Sequence, residues 1–292
     1  MRVFGNRLSW YIRRFWGPSF MRITEPQIAF IGAGNMAVAL IEGLIAHGTK
    51  PQCITVSSPT IGPQHSVCQQ FSVRVTQDNQ IAAEQADILI LAVKPQQLAV
   101  VAPSLREIVQ RRKPLVISIA AGVRTQTLAV WLGDGVTIVR SMPNLPAKIQ
   151  AGVVGLYADT RVPKADRALA ETILTSIGLV VWVESEATMD VVTAVSGSGP
   201  AYIFLMLEAM ETAAVSLGLN PESAHLLTLQ TARGAIEMVA QTDGLPAVLR
   251  KQVTSPGGTT EAAIQIFEQG QFHDLFKQAL TAARDRSVAL SQ

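Results

Sequence analysis

From about residue 27 to 157, short β-branched runs alternate with longer stretches of helical spacing. Residues 28–31, 54–57, 73–75, 88–93, 115–119 and 136–139 read as strands. Several are apolar on both faces, as parallel strands covered by helices should be. Residues 37–47, 96–110 and 125–132 carry helical periodicity and fall between strands. That alternation predicts an α/β fold, a doubly wound parallel sheet. Residues 153–157 and 179–183 add late strands, with a helix over 164–177 between them.

After about residue 184 the pattern turns wholly helical. A helix over 201–217 runs into Gly218, a favourable stop. Asn220-Pro221-Glu222 then supplies an N-cap, a proline at the first helical position and an early acid, for a helix reaching about residue 240. Asp243-Gly244-Leu245-Pro246 reads as a turn, followed by a short helix, the segment Ser255–Thr260, and two helices ending near Ser291. Tyr202, Ile203, Phe204, Leu205, Met206 and Leu207 cannot share one narrow stripe. A helix with no wet face is covered on several sides, which predicts a subunit interface, an interleaved homodimer. The expected division is 1–21 as an N-terminal extension, 22–184 as the sheet domain and 185–292 as an all-helical dimerisation and substrate domain.

Composition narrows the class. Apolar residues make up 48% of 292 and charged residues 16%, which excludes disorder over most of the length. No run of about 18 uninterrupted apolar residues supports a spanning helix. Of the 24 basic residues, Arg2, Arg7, Arg13 and Arg14 lie in the first twenty positions, leaving 20 against 22 acidic ones and no concentrated basic face for nucleic acid. Cys53 and Cys68 fit neither a zinc knuckle nor a redox pair and read as buried small apolar residues. The four histidines lack metal-ligand spacing, so no metal is expected. A reducing cytoplasm, without a membrane partner, is the expected compartment. Residues 1–21 are Arg-rich and acid-free; a start upstream of the true one at Met21, a targeting segment and a membrane-surface anchor are the readings, and residues 1–20 are expected to be dispensable.

Chemistry enters at Gly32-Ala33-Gly34-Asn35-Met36-Ala37, directly after the first strand and opening a helix. This is G-x-G-x-x-A in a dinucleotide-binding context: Gly32 for the tight turn, Gly34 for approach of a pyrophosphate, Ala37 for helix–sheet packing. The second strand ends Ser57-Ser58-Pro59-Thr60, with no acid to repel a 2′-phosphate and no Arg to clamp one. The absence favours NADPH, with NADH an alternative. Val93-Lys94-Pro95 and Met142-Pro143-Asn144 follow later strands, at the carboxyl edge where ligands bind; Lys94 is either a cleft residue or a solvated strand-end lysine.

GAGNMA, AVKP, SIAAGV, MPN-x-P, VSGSGPAY and SPGGTT occur in the order found in pyrroline-5-carboxylate reductases, and the chain resembles that family over residues 27–290. The resemblance implies a Rossmann domain, a helical dimerisation domain, and NAD(P)H-dependent reduction of 1-pyrroline-5-carboxylate to L-proline, the final step of proline biosynthesis. It assigns Gly32, Gly34, Asn35, Met36, Ser57, Ser58, Val93, Lys94, Pro95 and Asn144 to the cofactor. Leu145 stands where many relatives carry threonine, which makes Asn144 the surer nicotinamide-side candidate. Gly257, Gly258, Thr259 and Thr260 are assigned to the substrate carboxylate. Thr260, at the ring nitrogen, and Ser255 are the catalytic candidates. On its own, Gly257-Gly258 fits either an anion loop or a plain interhelical turn.

Two other functions compete. A 3-hydroxyacid dehydrogenase of similar plan needs a lysine in its helical domain, and residues 165–250 contain none. A non-catalytic dinucleotide sensor would not need a second, independent anion loop.

Overall fold

The computed structural model describes residues 26–62, 65–242 and 245–291. The extension 1–21 and the Asp243-Gly244 turn lie outside the described residues. The chain divides into two compact units: one holds the described residues through Ser118 plus Ala129–Ile138, the other Ile119–Leu128 plus the residues from Val139 onward. The chain therefore divides well before the change to a helical pattern near residue 184.

The first unit is built on β1 (Ile28–Ile31), β2 (Ile54–Ser57), β3 (Arg74–Thr76), β4 (Ile88–Leu91) and β5 (Leu115–Ser118), in the order β3-β2-β1-β4-β5. All pairs are parallel, with Ile28 opposite Ile54 on one side and Ile88 on the other. β1, β4 and β5 are buried at every position, matching strands covered on both faces. Five helices belong to it: α1 (Asn35–Ala46), α2 (Ser66–Gln70), α3 (Asn79–Ala83), α4 (Pro95–Ser104) and α5 (Arg106–Arg112). The single helix expected over 96–110 is two, separated at Leu105. Pro103 lacks the N–H that would continue the ladder, and Ser104 Oγ bonds back to Val101 O at 2.7 Å. The five-residue helices α2 and α3 escaped the sequence reading because they are too short to show a period.

The second unit includes α6 (Thr125–Leu132) in its first turn and the strands β6 (Ile138–Met142), β7 (Gly152–Ala158) and β8 (Gly178–Trp182). β6 and β7 are antiparallel, a departure from the all-parallel expectation. The connection contains only a 3-10 turn, Leu145–Ile149, too short for a crossover. α7 (Lys164–Thr175) then returns the chain, and β7 and β8 pair in parallel. The rest is helical: α8 (Thr188–Val192), a π-turn (Thr193–Gly197), α9 (Gly199–Ser216), α10 (Pro221–Thr242), α11 (Pro246–Gln252), α12 (Thr259–Gln269) and α13 (Phe272–Leu290). Not one residue of α9 is buried in the single chain. Among the described residues, the stretch Thr188–Ser216 is long and apolar enough to cross a membrane by length and composition. The sequence reading missed this because Gly and Glu interrupt the run. Of the two cysteines, Cys53 is buried but Cys68 only half so, correcting the expectation that both are core.

Candidate functional site

The dinucleotide-type turn lies in the first unit. Gly32 has φ +109°, and a Cβ there would meet Ala92 O at 2.7 Å, so glycine is required both by conformation and by the neighbouring strand end. Its N–H donates to Ser57 O at 2.8 Å, tying the turn to the end of β2. Gly34 is the N-cap of α1, with open space around its Cα and no side-chain cap. No acid occupies the first turn, and the first intrahelical bond is Val38 N–H to Gly34 O. The N–H groups of Asn35, Met36 and Ala37 therefore form an uncapped positive helix end, the physical requirement of a phosphate site. Gly34 and Asn35 are exposed, and Met36 is half-buried.

Ser57 and Ser58 differ sharply. Ser57 is fully buried and its hydroxyl donates to Asn79 Oδ1 on α3. It braces the strand end from within. Ser58 is half-exposed, and its hydroxyl lies 3.3 Å from that of Thr60. Lys94 is exposed as the N-cap of α4, making no side-chain cap bond, with Val93 and Pro95 half-buried beside it.

The remaining candidates lie in the second unit. Asn144 is 8% exposed. Its Nδ2 donates to Ser196 O at 3.1 Å and its Oδ1 accepts from Val153 N–H at 3.0 Å. Both ends of the amide are thus engaged by backbone groups of the second unit.

The SPGGTT segment joins α11 to α12. Gly257 has φ +70°, the left-handed region. A Cβ on Gly258 would meet Ser255 Oγ at 2.9 Å and Ser255 O at 3.0 Å. The expectation that Gly257 and Gly258 present their N–H groups to an anion is corrected. Gly257 N–H donates to Glu261 Oε2 at 2.7 Å and Gly258 N–H to Ser255 O at 3.0 Å. The available donors lie one step on, in Thr259, Thr260 and Glu261, the first turn of a helix without a side-chain cap. Glu261 was not singled out, although an acid three residues after the N-cap is a sequence signature of self-capping. Ser255 and Thr259 are exposed and Thr260 is half-buried.

One further cluster lay outside the sequence reading. Glu186 accepts from Thr125 N–H at 2.7 Å, Thr125 Oγ1 at 2.9 Å and Arg140 Nη1 at 3.2 Å. Arg140 is 2% exposed, so this is a buried ion pair that also caps α6. Across the strand pair, burial first, then Glu186 and Asp159, push the Tyr157 phenol up, keeping it neutral at physiological pH.

A parallel sheet with an uncapped glycine turn, joined to a helical region carrying a second uncapped helix end, defines an oxidoreductase of the dinucleotide-dependent class. A family model described as NADP oxidoreductase, coenzyme F420-dependent, matches residues 27–122, and one described as pyrroline-5-carboxylate reductase dimerisation matches residues 186–290. The pyrroline-5-carboxylate reductase of Pseudomonas aeruginosa is 44% identical over 270 residues, spanning 92% of this chain and 98% of that protein. The solved structure of the Coxiella burnetii enzyme superposes with TM-score 0.85 at 46% identity, covering 92% of this chain and 100% of that one. The Plasmodium falciparum structure, with NADP bound, gives TM-score 0.83 at 28% identity over 93% of this chain and 100% of that one. This chain belongs to the pyrroline-5-carboxylate reductase family.

Proposed function

We infer that this chain reduces 1-pyrroline-5-carboxylate to L-proline with NADPH, accepting NADH as a second donor, in the last step of proline biosynthesis. The observation that carries the reading is a pair of uncapped helix N-termini, at α1 and α12, in a chain collinear with that family. One suits a pyrophosphate and the other a carboxylate. The reaction adds hydride to the imine carbon and a proton to the ring nitrogen, turning C=N into a secondary amine. The dinucleotide, when bound, supplies the hydride.

The chain's own residues bind and orient. The N–H groups of Asn35 and Met36, reached over Gly34, receive the pyrophosphate. Ser58, with no acid beside it, accepts a ribose carrying a 2′-phosphate. Val93, Lys94 and Pro95 line the cofactor side at the end of β4. Thr259 and Thr260 N–H groups hold the substrate carboxylate, with Ser255, Gly257 and Gly258 shaping the loop, and the Thr260 hydroxyl bonds the ring nitrogen. Such positioning supplies much of the rate, because holding two reactants in place removes most of the entropic barrier. We assign the cytoplasm as its compartment and a homodimer, or a ring of dimers, as its assembly, built on the apolar helices of the second unit.

The test is NADPH oxidation followed spectrophotometrically, with 1-pyrroline-5-carboxylate against a set of 3-hydroxyacids run in reverse with NADP. Turnover with the imine alone is expected. Turnover with a hydroxyacid alone, or with neither, would overturn the assignment.

A further inference from the structure

The π-turn Thr193–Gly197 overlaps the start of the Val195-Ser196-Gly197-Ser198-Gly199-Pro200 segment. An i→i+5 turn breaks the register of the helical ladder, so carbonyls near it need other partners, and such turns gather at functional sites. Here side chains meet them. Tyr202 Oη donates to Ala194 O at 3.1 Å, and Asn144 Nδ2 donates to Ser196 O at 3.1 Å. Asn144 Oδ1 meanwhile accepts from Val153 N–H at 3.0 Å, at the start of β7. One buried amide thus joins the turn leaving β6, the start of β7 and the π-turn.

The packing around this junction is close. A Cβ on Gly197 would collide with Met142 Cε, and one on Gly155 with Val192 Cγ1. The π-turn therefore lies against Met142 of β6, and α8, which leads directly into it, lies against β7. Met142-Pro143-Asn144 leaves the carboxyl end of β6, the end from which open α/β sheets serve ligands. A displacement of about 1 Å there is costly to a reaction that relies on placement, on the order of a hundredfold.

We propose that Asn144 is a positioning residue for the reduction, fixing the π-turn and the β6–β7 turn, and not a residue that touches the dinucleotide. The proposal rests on the reductase reading given above. Neither bonding partner of the amide is ionisable. The charged groups of the surrounding elements are engaged elsewhere or exposed: Arg140 on β6 pairs with Glu186, Asp190 on α8 accepts from Ser287, and Lys148 on the 3-10 turn is exposed.

The test is Asn144→Asp, with wild-type enzyme run first. When protonated, the introduced carboxyl reproduces both bonds, its O–H donating to Ser196 O and its C=O accepting from Val153 N–H. When ionised, it faces the Ser196 carbonyl with no donor. Burial raises a carboxyl pKa above its ordinary value of about 3.9. The ratio of the variant's kcat to that of wild type should therefore approach one near about pH 5 and fall about tenfold by about pH 8. NADPH affinity, by fluorescence titration, should stay within about twofold, since no bond to the cofactor is lost. Tyr202→Phe removes the other carbonyl's donor without adding charge, and should lower kcat with the same unchanged NADPH affinity and no new pH limb. If the aspartate variant does not fold, Asn144→Ala, which removes both bonds and adds no charge, takes its place, with lowered kcat and unchanged NADPH affinity expected. Loss confined to NADPH affinity, or wild-type kcat in a folded variant at every pH, would overturn the proposal. No turnover by wild type with the imine would instead overturn the reductase reading.

Discussion

Thr260 is the second residue of α12, and neither its N–H nor those of Thr259 and Glu261 have an intrahelical partner. A hydroxyl at that place adds one directed bond to a site that otherwise offers only backbone donors. Bonds of this kind contribute about 0.5–1.5 kcal/mol when neutral and about 1.5–3 when one partner is charged. Thr260→Ala is therefore expected to lower kcat/KM for the imine by roughly 10- to 100-fold, each 1.4 kcal/mol counting about tenfold. Steady-state kinetics with NADPH titration as control measures it, and unchanged kcat/KM would place the substrate elsewhere. Ser58 carries a second expectation. It is the half-exposed residue after β2, and Ser58→Asp sets a carboxylate where a 2′-phosphate would lie. The ratio of kcat/KM for NADPH to that for NADH should fall by at least about tenfold, as like charges repel. An unmoved ratio would mean that the 2′-phosphate is held from another segment. At this scale the sequence revealed residue types at motif positions, because glycine turns and hydroxyl-rich loops need particular residues. It did not reveal directions. Ser57 faces Asn79, twenty-two positions away, and Asn144 faces Ser196, fifty-two away, and no local pattern encodes either pairing.

Elements were legible in proportion to their periodicity. β1, β2 and α6 stand where the pattern put them, β8 and α9 lie within a residue or two, and α13 ends a residue short of Ser291. The misses have local causes. Pro103 and Ser104 divide one apparent helix into two. The π-turn was invisible because its carbonyls are met from β6–β7 and α9, by partners no local pattern encodes. The Glu186 cluster hid for the same reason: its members lie at 125, 140 and 186. It is nonetheless what fixes the start of α6. Glu186→Ala would leave the Arg140 guanidinium, only 2% exposed, without its carboxylate, and would uncap Thr125 N–H. Removing one partner of a buried ion pair costs about 3–5 kcal/mol. Urea denaturation should show a lower midpoint with an unchanged slope. Wild-type stability would mean that Arg140 finds another acceptor.

On the scale of the whole molecule, the question is what covers the second unit's helices. α9 buries nothing within the chain, and Phe204, Leu205, Leu227, Ile236 and Phe267 are each more than half exposed. Apolar exposure on that scale marks an interface. Its composition alone would also suit a bilayer, since Thr188–Ser216 is long and apolar enough. Glu208 and Glu211 on α9 weigh against a bilayer, because carboxylates in hydrocarbon are costly. A second copy of the chain, as proposed above, would cover the apolar positions while leaving such acids at a wet rim. If so, folding and association are coupled, and the melting temperature should rise with protein concentration, as mass action requires. Leu205→Asp places a charge where the partner's apolar surface must dock, and burying it unpaired is prohibitive. The expected product is an aggregated or unfolded chain, while wild type sediments as a dimer or a multiple of one. Flotation with neutral lipid vesicles separates the alternatives, since wild type should remain with the unbound fraction. A soluble, active monomer from Leu205→Asp would remove the interface from α9, and a vesicle-bound wild type would assign the apolar face to lipid instead.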